Sequence, residues 1–156
     1  MPMVYGISLA TRGSTTGGAA ATEFGVAQIR VGVRNAAVSS FYLTGKANAA
    51  TTISGITVAI ITVTTPGAAG TAVTPQPKDP GMQGSKATAS SGHTIGTVGR
   101  LNHIVFGCGK AGPGGWMAYN PDYNIVREGG SGHAHEFISV SEEASLKFEW
   151  SGEFVE

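Results

Sequence analysis

Two histidines two residues apart, His133 and His135, come nearest in type and spacing to a chemical pattern in this chain. At i and i+2 on a strand they share one face, so both imidazoles could reach one metal ion. A cupin-type centre also needs a carboxylate shortly after the pair and a later histidine. The residues that follow are EFISVSEE, no histidine comes after them, and His93 and His103 both precede the pair. Glycines on both sides put the pair at a loop-to-strand transition. The expectation is two exposed polar histidines with no metal and no cofactor, His133 and His135 being the only metal candidates. Cys108, in FGCGK, would need a partnered histidine to act as a nucleophile. His103 is near in sequence but falls at a different depth of the same strand, so a small buried residue in a turn is expected. The same stretch lacks the leading glycine and the following Ser or Thr of a phosphate-binding loop. Glu142 and Glu143 are adjacent, point to opposite faces, and make no acid pair. These residues form no catalytic set, and the chain reads as a protein that is not an enzyme. Trp116, Tyr119, Tyr123 and Trp150 could stack sugar rings or anchor an interface. Trp150 is core by its spacing, while Trp116 and Tyr119, next to GPGG, are the more exposed candidates.

The elements that must position these residues are strands. Residues 51–65, TTISGITVAIITVTT, form the longest β-branched run. Thr57, Ala59, Ile61 and Val63 fall on one face of an extended strand and Ile56, Val58, Ile60 and Thr62 on the other. Both faces are largely apolar, which predicts a strand buried on at least one side, with threonine where it meets water. A membrane-spanning helix would need about 20 apolar residues, and this run is shorter. Ala27, Ile29, Val31 and Val33 alternate with Gln28, Arg30, Gly32 and Arg34, predicting a half-buried strand with a solvated basic face. Further strands are expected over 4–10, 38–44, 101–106, 116–119, 123–126, 136–140 and 144–151, with turns at 107–115 and 120–122 and a linker at 11–22. Residues 65–94 differ in character. Pro66, Pro75, Pro77 and Pro80 deny ladder hydrogen bonds, and a structureless connection this long is uncommon in a compact domain. The segment is expected to be an extended arm laid over a neighbouring subunit, which makes these four prolines, with Trp116 and Tyr119, the interface candidates. No helical period, heptad or repeat is evident. The pattern predicts an all-β antiparallel sandwich in one domain, 1–156.

Composition narrows the function classes. Of 156 residues, 41% are hydrophobic and 13% charged, against about 25% charged in an average soluble domain. The 24 glycines and 7 prolines, about a fifth of the chain, stay below the level of low-complexity disorder. Net charge is zero but uneven: from Arg127 onward seven acidic residues face two basic ones, which would suit head-to-side contacts between copies. Scattered basic residues without interleaved aromatics make no nucleic-acid surface. One cysteine excludes an internal disulfide framework, and the start, MPMVYGISLATRG, lacks the features of a signal peptide. The expectation is a protein made and used without crossing a membrane.

In layout the chain resembles the small structural proteins of tailed bacteriophages, the capsid decoration or cement proteins. The residues that carry the likeness are VYGISLA with its Gly/Thr/Ala-rich linker, AQIRVGV, ITVAIITVTTPGAAGTAVTPQP, GGWMAYNPDYNIVREGG and the closing LKFEWSGEFVE. The resemblance implies a jelly-roll-like sandwich, a homo-oligomer with a trimer preferred, and attachment to the major capsid protein on the outer capsid surface of the virion after assembly in the host cytoplasm. It implies nothing for His133 and His135. The alternative is a carbohydrate- or receptor-binding sandwich of a tail or fibre, which an exposed aromatic platform beside a groove would favour.

Overall fold

The β-branched run forms a strand buried on both faces. In the computed structural model, which describes residues 3–8, 15–16, 22–46, 55–109, 113–118, 125–127, 129, 132–141 and 147–156, this strand is Gly55–Val63. Val58 and Ile60 point into the main core, and Ala59, Ile61 and Val63 belong to a second apolar cluster on the other side. Thr62, expected where the strand meets water, is buried with them.

Among the described residues every element is a strand. In chain order they are β1 (Val4–Ser8), β2 (Thr15–Thr16), β3 (Thr22–Arg30), β4 (Ala36–Lys46), β5 (Gly55–Val63), β6 (Thr71–Val73), β7 (Gln76–Pro77), β8 (Thr88–Ser91), β9 (Leu101–Gly109), β10 (Pro113–Met117), β11 (Ile125–Arg127), β12 (Ala134–Ser141) and β13 (Lys147–Val155). They form two antiparallel sheets. One runs β10-β4-β13-β1-β7, with β11 also on β4 and β2 on β13; the other runs β6-β8-β3-β12-β5-β9. The eight principal strands, in chain order, are β1, β3, β4, β5, β9, β10, β12 and β13. The first sheet holds the first, eighth, third and sixth of them side by side, and the second holds the second, seventh, fourth and fifth. The sheets face each other as a β-sandwich. No helix among the described residues is long and apolar enough to cross a membrane.

Aromatic side chains pack both between the sheets and within the first one. Phe41 of β4 stacks on Phe137 of β12 at 4.1 Å between ring centroids, and on Trp150 of β13 at 5.6 Å. Tyr5 stacks on Phe154 at 5.5 Å. Alternation along β13 turns Trp150, Gly152 and Phe154 inward, so Trp150 is core as its spacing predicts. Gly152 lies opposite Phe41, and a methyl group there would sit 2.9 Å from the ring, so only glycine leaves the ring its place. Phe148 pairs through β13, but its side chain, like Leu146, lies outside the description.

Residues 65–94 do not leave the domain as an arm. β8 pairs with β3, β6 with β8, and β7 with β1, so the segment supplies the last strand of both sheets on one side of the sandwich. Val73, Ala87 and Ala89 are buried in the main core. Tyr5 donates its hydroxyl to the Gln83 carbonyl at 2.9 Å. The physical reason is that the segment is pinned at short intervals, by ladders of two to four residues that the prolines interrupt without forbidding. Pro77 sits in an edge strand, where a missing N–H costs little. Pro66, Pro75 and Pro77 are half-buried and Pro80 is exposed. Strand bounds differ from expectation elsewhere too: β9 runs through Gly109 and β10 begins at Pro113, where a turn was expected over 107–115, and β4, β11, β12 and β13 are shifted or longer.

Candidate functional site

The polar face of β3 was expected to be solvated. Instead the chain on either side of Gly67 and Gly96 lies over it. Thr64 and Thr65 donate backbone N–H groups to the Val98 carbonyl, and Thr94 donates to the Ala68 carbonyl at 2.9 Å. Beneath this cover Glu136 of β12 is fully buried. Its Oε1 accepts from Gln28 Nε2 and its Oε2 from the Gly96 amide, both at 2.9 Å. Gln28 Oε1 in turn accepts from Arg30 Nε at 2.8 Å, and Arg30 also donates to the Gly67 carbonyl. His93, buried and 3.6 Å from Glu136, lies on Gly25, where a methyl group would come within 2.6 Å of the ring. Burial pushes the Glu136 carboxyl up, but His93, the Gly96 amide and Gln28 together outweigh it and hold the group below its ordinary value. This network fastens the covering chain to the sheet, with Ile95 capping the second apolar cluster beside it.

The histidine pair is divided between environments. His135 is fully buried on the inner face of β12. Its Nε2 donates to the Ala36 carbonyl at 2.9 Å, because a carbonyl can only accept. His133 precedes the strand, is half-buried, and accepts the Val31 N–H at its carbonyl. The expectation of two exposed histidines is therefore corrected: one is structural and built in, since β12 begins at Ala134 and turns His135 to the core side. His103 bonds through Nε2 to Thr62 Oγ1 at 2.8 Å. Among the described residues no group of three or more His, Cys, Asp or Glu could hold a metal ion. Cys108 stands in β9 opposite Ile56 rather than in a turn. The side chain of Cys108 and residues Glu142, Glu143, Tyr119 and Tyr123 lie outside the description.

The acidic C-terminal part finds partners in its own chain. Glu156 accepts from Ser85 Oγ at 2.9 Å and from the amides of Lys86 and Ala87 at 3.0 and 2.6 Å. Glu153 pairs with Lys78 at 2.5 Å. Glu23 receives two bonds of 2.6 Å from Arg100, and this guanidinium holds its carboxyl below the ordinary value. Glu153 and Glu156 thus tie the chain's end to residues 78–87.

Two surface features remain. On the outer face of the first sheet, Tyr42 is 45% exposed beside a groove of about 250 Å³. Trp116 packs half-buried against the main core and also lines, with Tyr42, Gly115 and Met117, a shallow depression of about 330 Å³, while Trp150 is inside. The alternation of Phe41 and Leu43 inward with Tyr42 and Thr44 outward was the signal that would have singled out Tyr42. The second feature is an edge. The side bounded by β6 and β7 ends in strands of three and two residues, whereas on the other side the first sheet ends in the five-residue β10 and the second in the nine-residue β9. There Leu101 is 56% and Val105 66% exposed, and Ile104 and Phe106 are only half-covered. Compared with known protein families, with curated proteins and with solved structures, the chain matches none.

Proposed function

We propose that the chain is a non-enzymatic structural protein of a virus particle, a jelly-roll sandwich that decorates the outer capsid of a tailed bacteriophage. In this reading copies associate, as a trimer by preference, and bind between subunits of the major capsid protein. They stabilise the shell by adding contact area, a standard interface being about 1,600 Å². The jelly-roll assignment draws support from the strand order, which splits eight principal strands between two sheets in the sequence of two interlocked Greek keys.

The observation that carries the assembly role is the unequal finish of the two sides of the sandwich. One side ends in very short strands interrupted by prolines, the usual protection of a sheet edge. On the other side the first sheet ends in the five-residue β10, which starts at Pro113, and the second in β9, nine residues long, without proline and carrying exposed Leu101 and Val105. Such an edge presents a row of backbone donors and acceptors to a partner. The test is sedimentation equilibrium of the purified chain and of Val105→Lys. Association of the parent chain that the variant loses is expected; a monomer at all concentrations, or a variant that associates as before, refutes the role of this edge.

A further inference from the structure

Tyr42 is held on the outer face of the first sheet in a way that no core requirement explains. Its neighbour across β10 is Gly115, and a methyl group at that glycine would come within 2.9 Å of the ring. The hydroxyl reaches Met117 Sδ at 3.4 Å, two residues further along the same strand. The ring therefore leans over a glycine with its outer surface toward solvent, an arrangement known as rescue of a strand glycine by a cross-strand aromatic. On its far side runs the groove of about 250 Å³, lined by Gly6, Gln76, Lys78, Ser151 and Glu153 as well as Tyr42. Gly6 gives the groove a low floor, and Lys78 lies above it.

We propose that this face is a binding site for a neutral saccharide, with one pyranose ring stacked on Tyr42 and its hydroxyl groups bonded in the groove. The chemistry of the lining selects the class. Lys78 and Glu153 are paired, so the groove carries both a cation and an anion and no net charge. An ammonium offers three donors and a carboxylate about four acceptor positions, so one ion pair leaves capacity for hydroxyl groups of either role. Ser151 and Gln76 add neutral groups that both donate and accept. An anionic ligand would meet Glu153 and a cationic one Lys78, whereas an uncharged polyol suits both. The volume lies just below the roughly 300–1,000 Å³ of sites that enclose drug-sized molecules, which fits a single ring laid on a surface. The site is independent of β9 and holds whatever assembly the sandwich joins.

The experiment is affinity electrophoresis of the intact chain through gels containing dextran, mannan, galactan or laminarin, with alginate as the charged control. The chain is expected to be retarded by at least one neutral polymer and not by alginate alone. Tyr42→Phe keeps the ring and should keep retardation, while Tyr42→Ala should lose about tenfold in apparent affinity. Thermal unfolding of Tyr42→Ala at the parent temperature confirms that the exposed substitution left the fold intact. Free migration in all four neutral gels, retardation by alginate only, or undiminished retardation of Tyr42→Ala overturns the site.

Discussion

Replacing Glu136 probes the network that binds the covering chain to the second sheet. Glu136→Ala removes a fully buried carboxylate that accepts from Gln28 and Gly96 and stands beside His93. The Gly96 amide and Gln28 Nε2 are then left buried without their acceptor, at about 1–3 kcal/mol each. The methyl group also fails to refill the space. Taking the two orphaned donors with the void, the expected cost is about 3–5 kcal/mol, in the range for breaking a buried charged contact by removing one partner. For a chain of this size that lowers the melting temperature by about 6–20 °C. A pH series gives an independent reading. Glu136 is held below its ordinary value in the folded state, so its contribution is complete above the unfolded carboxylate value of 4.5 and is lost as pH falls through the folded one. Parent stability should therefore fall on acidification below about pH 4.5 more steeply than that of Glu136→Gln, which has no proton to gain. Because Glu23 is also held low, the comparison between the two proteins isolates Glu136. The assay is thermal unfolding from pH 3 to 7, with hydrogen exchange at the Gly96 amide as the local readout. Parallel pH profiles, or a loss below about 1 kcal/mol in Glu136→Ala, would refute the reasoning.

Trp150→Ala should cost about 3–5 kcal/mol, because it empties a stacked position against Phe41, and an unchanged urea midpoint would contradict that packing. Deleting residues 66–91 behind a short Gly/Ser bridge should abolish cooperative unfolding, since it strips β8 from β3 and removes buried Val73, worth about 1.5–3 kcal/mol alone; a deletion that still melts sharply would restore the arm. His135→Ala should lose about 1–3 kcal/mol by orphaning the Ala36 carbonyl, while chelator should shift neither protein's melting temperature, and a chelator-dependent fall would expose a metal site.

What could be read from the chain depended on whether the deciding contacts were local. β5 was legible as a buried strand from its run of β-branched residues, though not the burial of Thr62, and Trp150 was legible from its period of two along β13. Gln28 and Arg30 sit in the same kind of pattern, yet their partners are Glu136, more than a hundred residues later, and the Gly67 carbonyl. A polar face covered by distant chain looks, in sequence, like a polar face in water. The chain from 65 to 94 was misread for a related reason. Strands of two to four residues carry no periodicity, and the acceptor that clamps residues 85–87 is the side chain of Glu156. His135 was placed at the surface because its companion His133 sits before the strand and hid the point at which alternation begins.

The proposed addition of this sandwich to the outside of a capsid is tested most directly by imaging purified phage particles made with and without the chain. It predicts density of the sandwich's size on the outer shell between major capsid subunits, in clusters related by threefold symmetry, and bare shells when the chain is absent. Identical shells in the two preparations, or density confined to the tail, would contradict it.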